Sequence, residues 1–291
     1  MTKRKARFTQ FIAIDWSGAV GPRQKGIAVA ECRPGGGAPT LIRPGHIWSR
    51  AEVLDLILAT ETDTLIGLDL GPSLPFVDRG AYFPGWDESP ADARGLWALV
   101  ERICLDDPHF AASSFVDHPE AARHFRRHGG RTGDLFEPGR GRLRATERAQ
   151  QRMGLSPYSN LNLVGAAQVG KSSLTGMRLL HRLSGRVAIW PFDPVPEAGP
   201  VVVELYTTLA AIAAGRARSR SKMRTHAELD AALLALGSAP GGGDGSISDH
   251  ASDAILTAAW MRKEASRQDF WQPGGLTDEI ARTEGWTFGV V

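Results

Sequence analysis

The stretch FIAIDWSGAV, residues 11–20, decides how the fold is read. Phe11 to Ile14 read as an apolar strand that ends at Asp15, and Ser17-Gly18 supply the turn that follows. Working outward, GIAVAEC (26–32) is a second strand. Pro34-Gly35-Gly36-Gly37 is a strong turn signal, and residues 40–48 can return as a third strand. Three strands with short links favour an antiparallel meander. Ser49 has the character of a helix N-cap, with Val53, Leu54, Ile57 and Leu58 at helical spacing behind it. TLIGLDLG (64–71) is then a continuous apolar run broken only by Asp69, as expected of a central strand buried on both faces. A helix followed by a buried strand adds that strand parallel to the first. The expected fold is α/β: a mixed sheet, with a three-strand antiparallel meander plus parallel strands, and flanking helices.

The rest of the chain extends this pattern. Residues 72–89 read as a long Pro/Gly-rich loop, and Ser89-Pro90 as the N-cap and first position of a helix running to about Leu105. Residues 106–160 read as an arginine-rich insertion, partly helical and partly mobile. A helix over 173–184 precedes strands at 186–193 (RVAIWPFD) and 201–206 (VVVELY). Helices at 207–214 and 225–237, a linker at 238–246 and a last long helix beginning near Ser248 complete a single domain over 8–291. With 42% hydrophobic residues in 291, the chain is too apolar to be disordered throughout. No apolar run approaches the roughly 20 residues a membrane-spanning helix needs. MTKRKARFTQFIAID is a poor secretory signal, because its apolar stretch is short and ends in an aspartate. Two cysteines, Cys32 and Cys104, form no CxxC pair, and a reducing cytoplasm is the expected compartment.

The informative residues are carboxylates in apolar surroundings. Asp15 and Asp69 stand in or at the ends of the two most apolar strands, and Glu204 stands in VVVELY. A lone buried carboxylate costs several kcal/mol unless it is paired, hydrogen-bonded, protonated or bound to a cation. The last helix adds Asp249, His250 and Asp253, and the spacings 250/253 and 249/253 each share a helix face. Several acids on neighbouring buried elements repel one another unless a cation sits among them, and oxygen-rich sites with an occasional His suit Mg²⁺ or Mn²⁺. A pair of such ions is suited to phosphodiester cleavage. Taken singly, each acid could equally cap a turn or a helix.

The arrangement resembles the RNase H-like superfamily: an Asp on the first strand of a meander, an acid on the fourth strand, and His/Asp-x-x-Asp on the last helix. DHASDAILTAAW (249–260) is similar to the closing helix of RuvC-type Holliday-junction resolvases. More specifically, FIAIDWSGA, IGLDLGPSLP, GAAQVGKSSLTGM, VAIWPFD, VVVELYTTL and TEGWTFGV resemble, in order, the blocks of an uncharacterised family of predicted RNase H-like nucleases. The resemblance implies a nuclease hydrolysing nucleic-acid phosphodiester bonds with Mg²⁺ or Mn²⁺. It makes Asp15, Asp69, His250 and Asp253 the catalytic set, and Asp15, Asp69, Asp253 and possible substitute Asp249 the metal ligands. Glu204 and Ser17 are secondary candidates. The chain departs from the family at Lys171-Ser172, where Thr-Gly is expected, and at ELYTT, where a proline usually follows the tyrosine.

That first departure opens a rival reading. GAAQVGKS (165–172) matches the phosphate-binding loop GxxxxGK[ST], in which Lys171 would reach phosphates. The preceding LNLV is short for the strand such a loop follows. A third reading is a catalytically silent nucleic-acid-binding module on the same fold. His124 and His128 are four apart but lack a third zinc ligand, and no GxSxG elbow supports a serine hydrolase.

Charge patterning favours a polyanionic partner. The total of +2 conceals +4 in the first eight residues, +6 over 123–152 and +5 over 216–224, leaving −13 for the remainder. Arginines pair bidentately with phosphates, so Arg126, Arg127, Arg142, Arg144, Arg218, Arg220 and Lys222 are the expected nucleic-acid contacts. Phe125, Phe136 and Tyr158 are candidates for base stacking. DNA and RNA are not distinguished by these features.

Overall fold

The computed structural model describes residues 7–164, 169–217 and 222–291. Six strands form one sheet: β1 Gln10–Asp15, β2 Ala28–Cys32, β3 Thr40–Leu41, β4 Thr64–Leu68, β5 Ala188–Ile189 and β6 Val201–Glu204. Their order is β3-β2-β1-β4-β6-β5. β1 runs antiparallel to β2, pairing Phe11 with Cys32 and Asp15 with Ala28. β2 and β3 are also antiparallel. β1 runs parallel to β4, β4 to β6, and β5 to β6. The sheet is therefore mixed, as the apolar runs imply.

Eleven α-helices are among the described residues: α1 Arg50–Leu58, α2 Ala93–Ile103, α3 Ser113–Asp117, α4 Pro119–Ala122, α5 Ala145–Arg152, α6 Val169–Leu183, α7 Thr207–Ala213, α8 His226–Ala235, α9 Asp249–Glu264, α10 Gln268–Trp271 and α11 Asp278–Thr283. Strand alternation divides the apolar residues between two faces. Ile12, Ile14, Ile66, Leu68 and Val202 join one core with Val53 and Ile57 of α1, Trp97 of α2 and Met177 of α6. Phe11, Ala13, Leu65, Val201 and Val203 join the other with Leu209 of α7, Leu233 of α8 and Trp260 of α9. β1 and β4 are buried on both faces, which is why they read as unbroken apolar runs. No helix of the described residues is long and apolar enough to cross a membrane.

Several boundaries differ from the expected ones. The third strand stops at Leu41 instead of 48, because Arg43 adopts a φ of 53°, Pro44 has no N–H and Gly45 has a φ of 77°. The strand at RVAIWPFD contracts to Ala188–Ile189, ahead of Pro191. Ser89 is not a helix cap: its hydroxyl accepts from the Phe83 N–H at 3.1 Å, and Asp92 caps α2 by accepting from the Gly95 N–H at 2.8 Å. Ser49 does cap α1, in a reciprocal box with Glu52.

Candidate active site

The sheet order places acids side by side. Asp15 ends β1, Asp69 directly follows β4, and Glu204 ends β6. These three strands are adjacent and parallel, so all three carboxylates emerge at the same carboxyl edge of the sheet. In open α/β sheets this edge is where ligands bind. The Asp69 N–H donates to the Ile14 carbonyl at 3.0 Å, tying it to β1 one residue before Asp15.

Helix α9 packs across β1 and β2 and brings its first turns to the same edge. Ser248 caps it by accepting from the Ala251 N–H at 3.1 Å, leaving Asp249 free of the capping role. His250 Nδ1 then lies 2.8 Å from Asp15 Oδ2. Asp253, one turn further, is buried and paired with the Lys222 ammonium. Asp69 Oδ2 accepts from the Thr207 hydroxyl at 3.4 Å. A cleft of about 690 Å³ opens over this edge, lined among others by Ser17, Asp69, Lys171, Glu204, Lys222 and His250.

The electrostatics are those of a crowded acidic cluster. Burial pushes the Asp69 carboxyl well above its ordinary range, and the charges of Asp15 and Asp253 push it further. Burial also raises Asp253, against the pull of the Lys222 ammonium. Burial alone would lower Lys222, but the attraction of Asp253, with Asp15 and Asp69 behind it, leaves its ammonium acid weaker than usual. The hydrogen bond to Asp15 holds the His250 imidazole above its ordinary value.

The donor set is hard oxygen plus one imidazole, which fits Mg²⁺ or Mn²⁺ chemically. Among the described residues, however, no group of three or more His, Cys, Asp or Glu side chains is arranged to hold a metal ion as the chain stands. The cation paired in this cluster is the Lys222 ammonium. Asp249 lies 3.9 Å from Arg224 Nε, and its charge adds to the raising of Asp253. Glu204 accepts from both Arg144 Nη atoms at 2.5 and 3.0 Å and from the Thr287 hydroxyl at 2.9 Å, so its oxygens are already engaged.

The turn after β1 is held in part by Arg50 and Thr175, which the sequence did not mark out. Arg50, nearly fully buried, donates to the carbonyls of Ser17, Ala19 and His109. Trp16 Nε1 donates to the Thr175 hydroxyl at 3.1 Å. Gly18 lies so close to α6 that a Cβ there would meet the Lys171 carbonyl carbon and the Ser172 nitrogen at 2.5 Å. These contacts bring Ser17, Lys171 and Ser172 to one wall of the cleft. The first four residues of GAAQVGKS, Gly165 to Gln168, lie outside the described residues. Residues 153–164 before them contribute no strand to the sheet.

The expected phosphate-binding arginines divide. Arg142 is a correction: it is buried, pairs with Asp78 at 2.7 Å and donates to the carbonyls of Pro75, Ala81 and Tyr82. Arg144 is a second correction, only 1% exposed and clamped between Glu147 and Glu204. Their guanidinium groups satisfy buried carboxylates and carbonyls, so neither can also hold a phosphate. Lys222 lines the cleft, with its ammonium on Asp253. Arg127 donates to Asp117 at 3.1 Å, and Arg126 is exposed. Arg218 and Arg220 lie outside the described residues, as do Lys3, Arg4 and Lys5 of the basic tail.

Of the stacking candidates, Phe125 is fully buried, Phe136 is partly buried against the core, and Tyr158 is exposed at the cleft. His124 and His128 form no zinc pair: His124 is buried with its Nε2 unpartnered among the described residues, and burial pulls it down to about 4. Both cysteines are free and buried. No family model matches the chain, and no curated protein or solved structure matches it.

Proposed function

We propose that the chain is a divalent-cation-dependent nuclease on an RNase H-like fold, hydrolysing nucleic-acid phosphodiester bonds. One observation carries the reading: Asp15, Asp69 and Asp253 gather at one carboxyl edge of the sheet, where the charges of Asp15 and Asp253 raise the proton affinity of the desolvated Asp69, a repulsion that a divalent cation would relieve. Asp15, Asp69 and Asp253 would hold Mg²⁺ or Mn²⁺, with Asp249 behind Asp253. Such ions supply charge for the phosphate and a water acidic enough to attack it.

The chain's own groups do the rest. His250, oriented by Asp15, stands at the cleft where it can hold or move a proton of the attacking water. Lys171, with no ion pair among the described residues, faces the same cleft as a point charge for a substrate phosphate. Tyr158 offers an exposed ring for a base. Glu204 keeps Arg144 and Thr287 in place beneath the site.

The test is cleavage of a panel of single strands, duplexes and branched junctions of DNA and RNA with Mg²⁺ or Mn²⁺. Cleavage abolished by Asp15→Asn supports the reading, and cleavage unchanged by it removes the carboxylate cluster from the chemistry. A second reading, nucleotide binding at Lys171 and Ser172, draws on their place in the first turn of α6 at the cleft. Saturable ATP binding lost in Lys171→Ala would favour it.

A further inference from the structure

Lys222, a predicted phosphate contact, turns its ammonium to an acid of the candidate site itself. Its backbone is fixed by its neighbours. Met223 is fully buried, and its carbonyl accepts from the Ser252 hydroxyl at 3.0 Å, one residue before Asp253 on α9. Arg224 N–H donates to Glu228 at 2.9 Å, and Arg216 donates to the Lys222 carbonyl at 3.1 Å. The chain directly after Lys222 is thereby held alongside α9. From there the flexible lysine stem delivers its ammonium to Asp253 and to the cleft shared with Asp69 and His250.

A structural ion pair does not need this position. Asp253 faces two further acids, and with Asp15 on His250 the Lys222 ammonium still stands against both Asp253 and Asp69. The lysine side chain is also 54% exposed, against 7% for Asp253, so the stem reaches in from solvent and its desolvated head would regain hydration on leaving. A compact, detachable cation is thus held at a buried acid of the site.

The geometry points to Lys222 as a tethered cation that occupies the divalent-metal position, so that a metal binds only when this ammonium leaves Asp253. This inference rests on the metal-dependent reading above and adds its regulation: the Lys222 ammonium is a plug for the acidic site. A polyanion that draws Lys222 outward would open the position it vacates, and metal and substrate would then favour each other's binding.

The test is the affinity of the full chain for Mn²⁺ alone, read by electron paramagnetic resonance of the free ion without any substrate. Lys222→Met is expected to bind Mn²⁺ at least tenfold more tightly than the wild type. Lys222→Arg, which keeps the charge, is expected to stay near the wild type. Lys263→Met, which removes an exposed charge from the last turn of α9, measures the effect of net charge alone and is expected to change affinity less than twofold. In Lys222→Met/Asp69→Asn the gain should disappear. Thermal unfolding of each variant establishes that it is folded, and Lys222→Gln serves as a second neutral variant if Lys222→Met is not. Neutral variants no tighter than Lys263→Met overturn the inference. If the wild type and the neutral variants bind Mn²⁺ equally and Asp69→Asn abolishes it, the plug falls and the metal site stands. If neither the wild type nor the neutral variants bind Mn²⁺, the metal reading falls with it.

Discussion

Arg144 is the sharpest place to separate a structural charge from a binding one. Its guanidinium donates to Glu147 Oε1 at 2.5 and 3.0 Å, to Glu204 at 2.5 and 3.0 Å, and to the Glu284 carbonyl at 3.0 Å. Burial would weaken this cation, but the two glutamates hold its proton more tightly than usual. Arg144→Met keeps much of the stem's volume and leaves two buried carboxylates without their cation. Removing one partner of a buried pair costs about 3–5 kcal/mol. For a chain of this size that is a fall in Tm of roughly 10 °C. Urea unfolding followed by circular dichroism measures it directly. Arg144→Met/Glu204→Gln removes one of the stranded charges and should recover about 1–2 kcal/mol. Arg126→Met, an exposed arginine of the same segment, should stay within about 0.5 kcal/mol of the wild type. An Arg144→Met protein within about 1 kcal/mol of the wild type, or an Arg126→Met protein equally destabilised, would refute the division of these arginines into buried and surface roles.

Three further outcomes follow from the geometry. Asp69→Asn should stabilise the fold by about 1 kcal/mol at neutral pH while abolishing cleavage, since the ionised Asp69 is desolvated and repelled by Asp15 and Asp253; a less stable Asp69→Asn in urea would contradict this. Gly18→Ala should cost about 1–3 kcal/mol in the same assay, because its Cβ would meet the α6 backbone at 2.5 Å, and an unperturbed midpoint would mean that the turn can move. His124 has its pKa pulled down to about 4, so the unfolded chain takes up its proton first as pH falls. Its contribution is full above about pH 6.5 and lost as pH falls from there towards 4, on the order of 3 kcal/mol, and His124→Phe should flatten that part of the stability profile.

Much of the fold was legible because two strands are buried on both faces. FIAID and TLIGL read as continuous apolar runs, and the helix between them implied their parallel pairing. The site acids were legible for the related reason that Asp15, Asp69 and Asp253 are polar residues in apolar surroundings. The arginines were not, because composition cannot say which way a guanidinium points. Arg142 and Arg144 sit in the same positive run as Arg126 and Arg127, yet their partners Asp78 and Glu204 are about 60 residues away in sequence, at 64 and 60 positions. The same limit hid Arg50, whose contacts to the loop after β1 span 31 and 33 residues. Lys222 read as part of a basic strip, and only the anchoring of Met223 to Ser252 reveals that it turns inward.

The central claim is that the carboxyl edge of β1 and β4, closed by α9, is a divalent-cation site. Anomalous diffraction from crystals of the wild type and of Lys222→Met grown with Mn²⁺ tests it most directly. The expected result is an anomalous peak bonded to oxygens of Asp15, Asp69 and Asp253, with the Lys222 ammonium displaced from Asp253 in the wild type. No peak at this edge in either protein, with Lys222 still on Asp253 in the wild type, would contradict it.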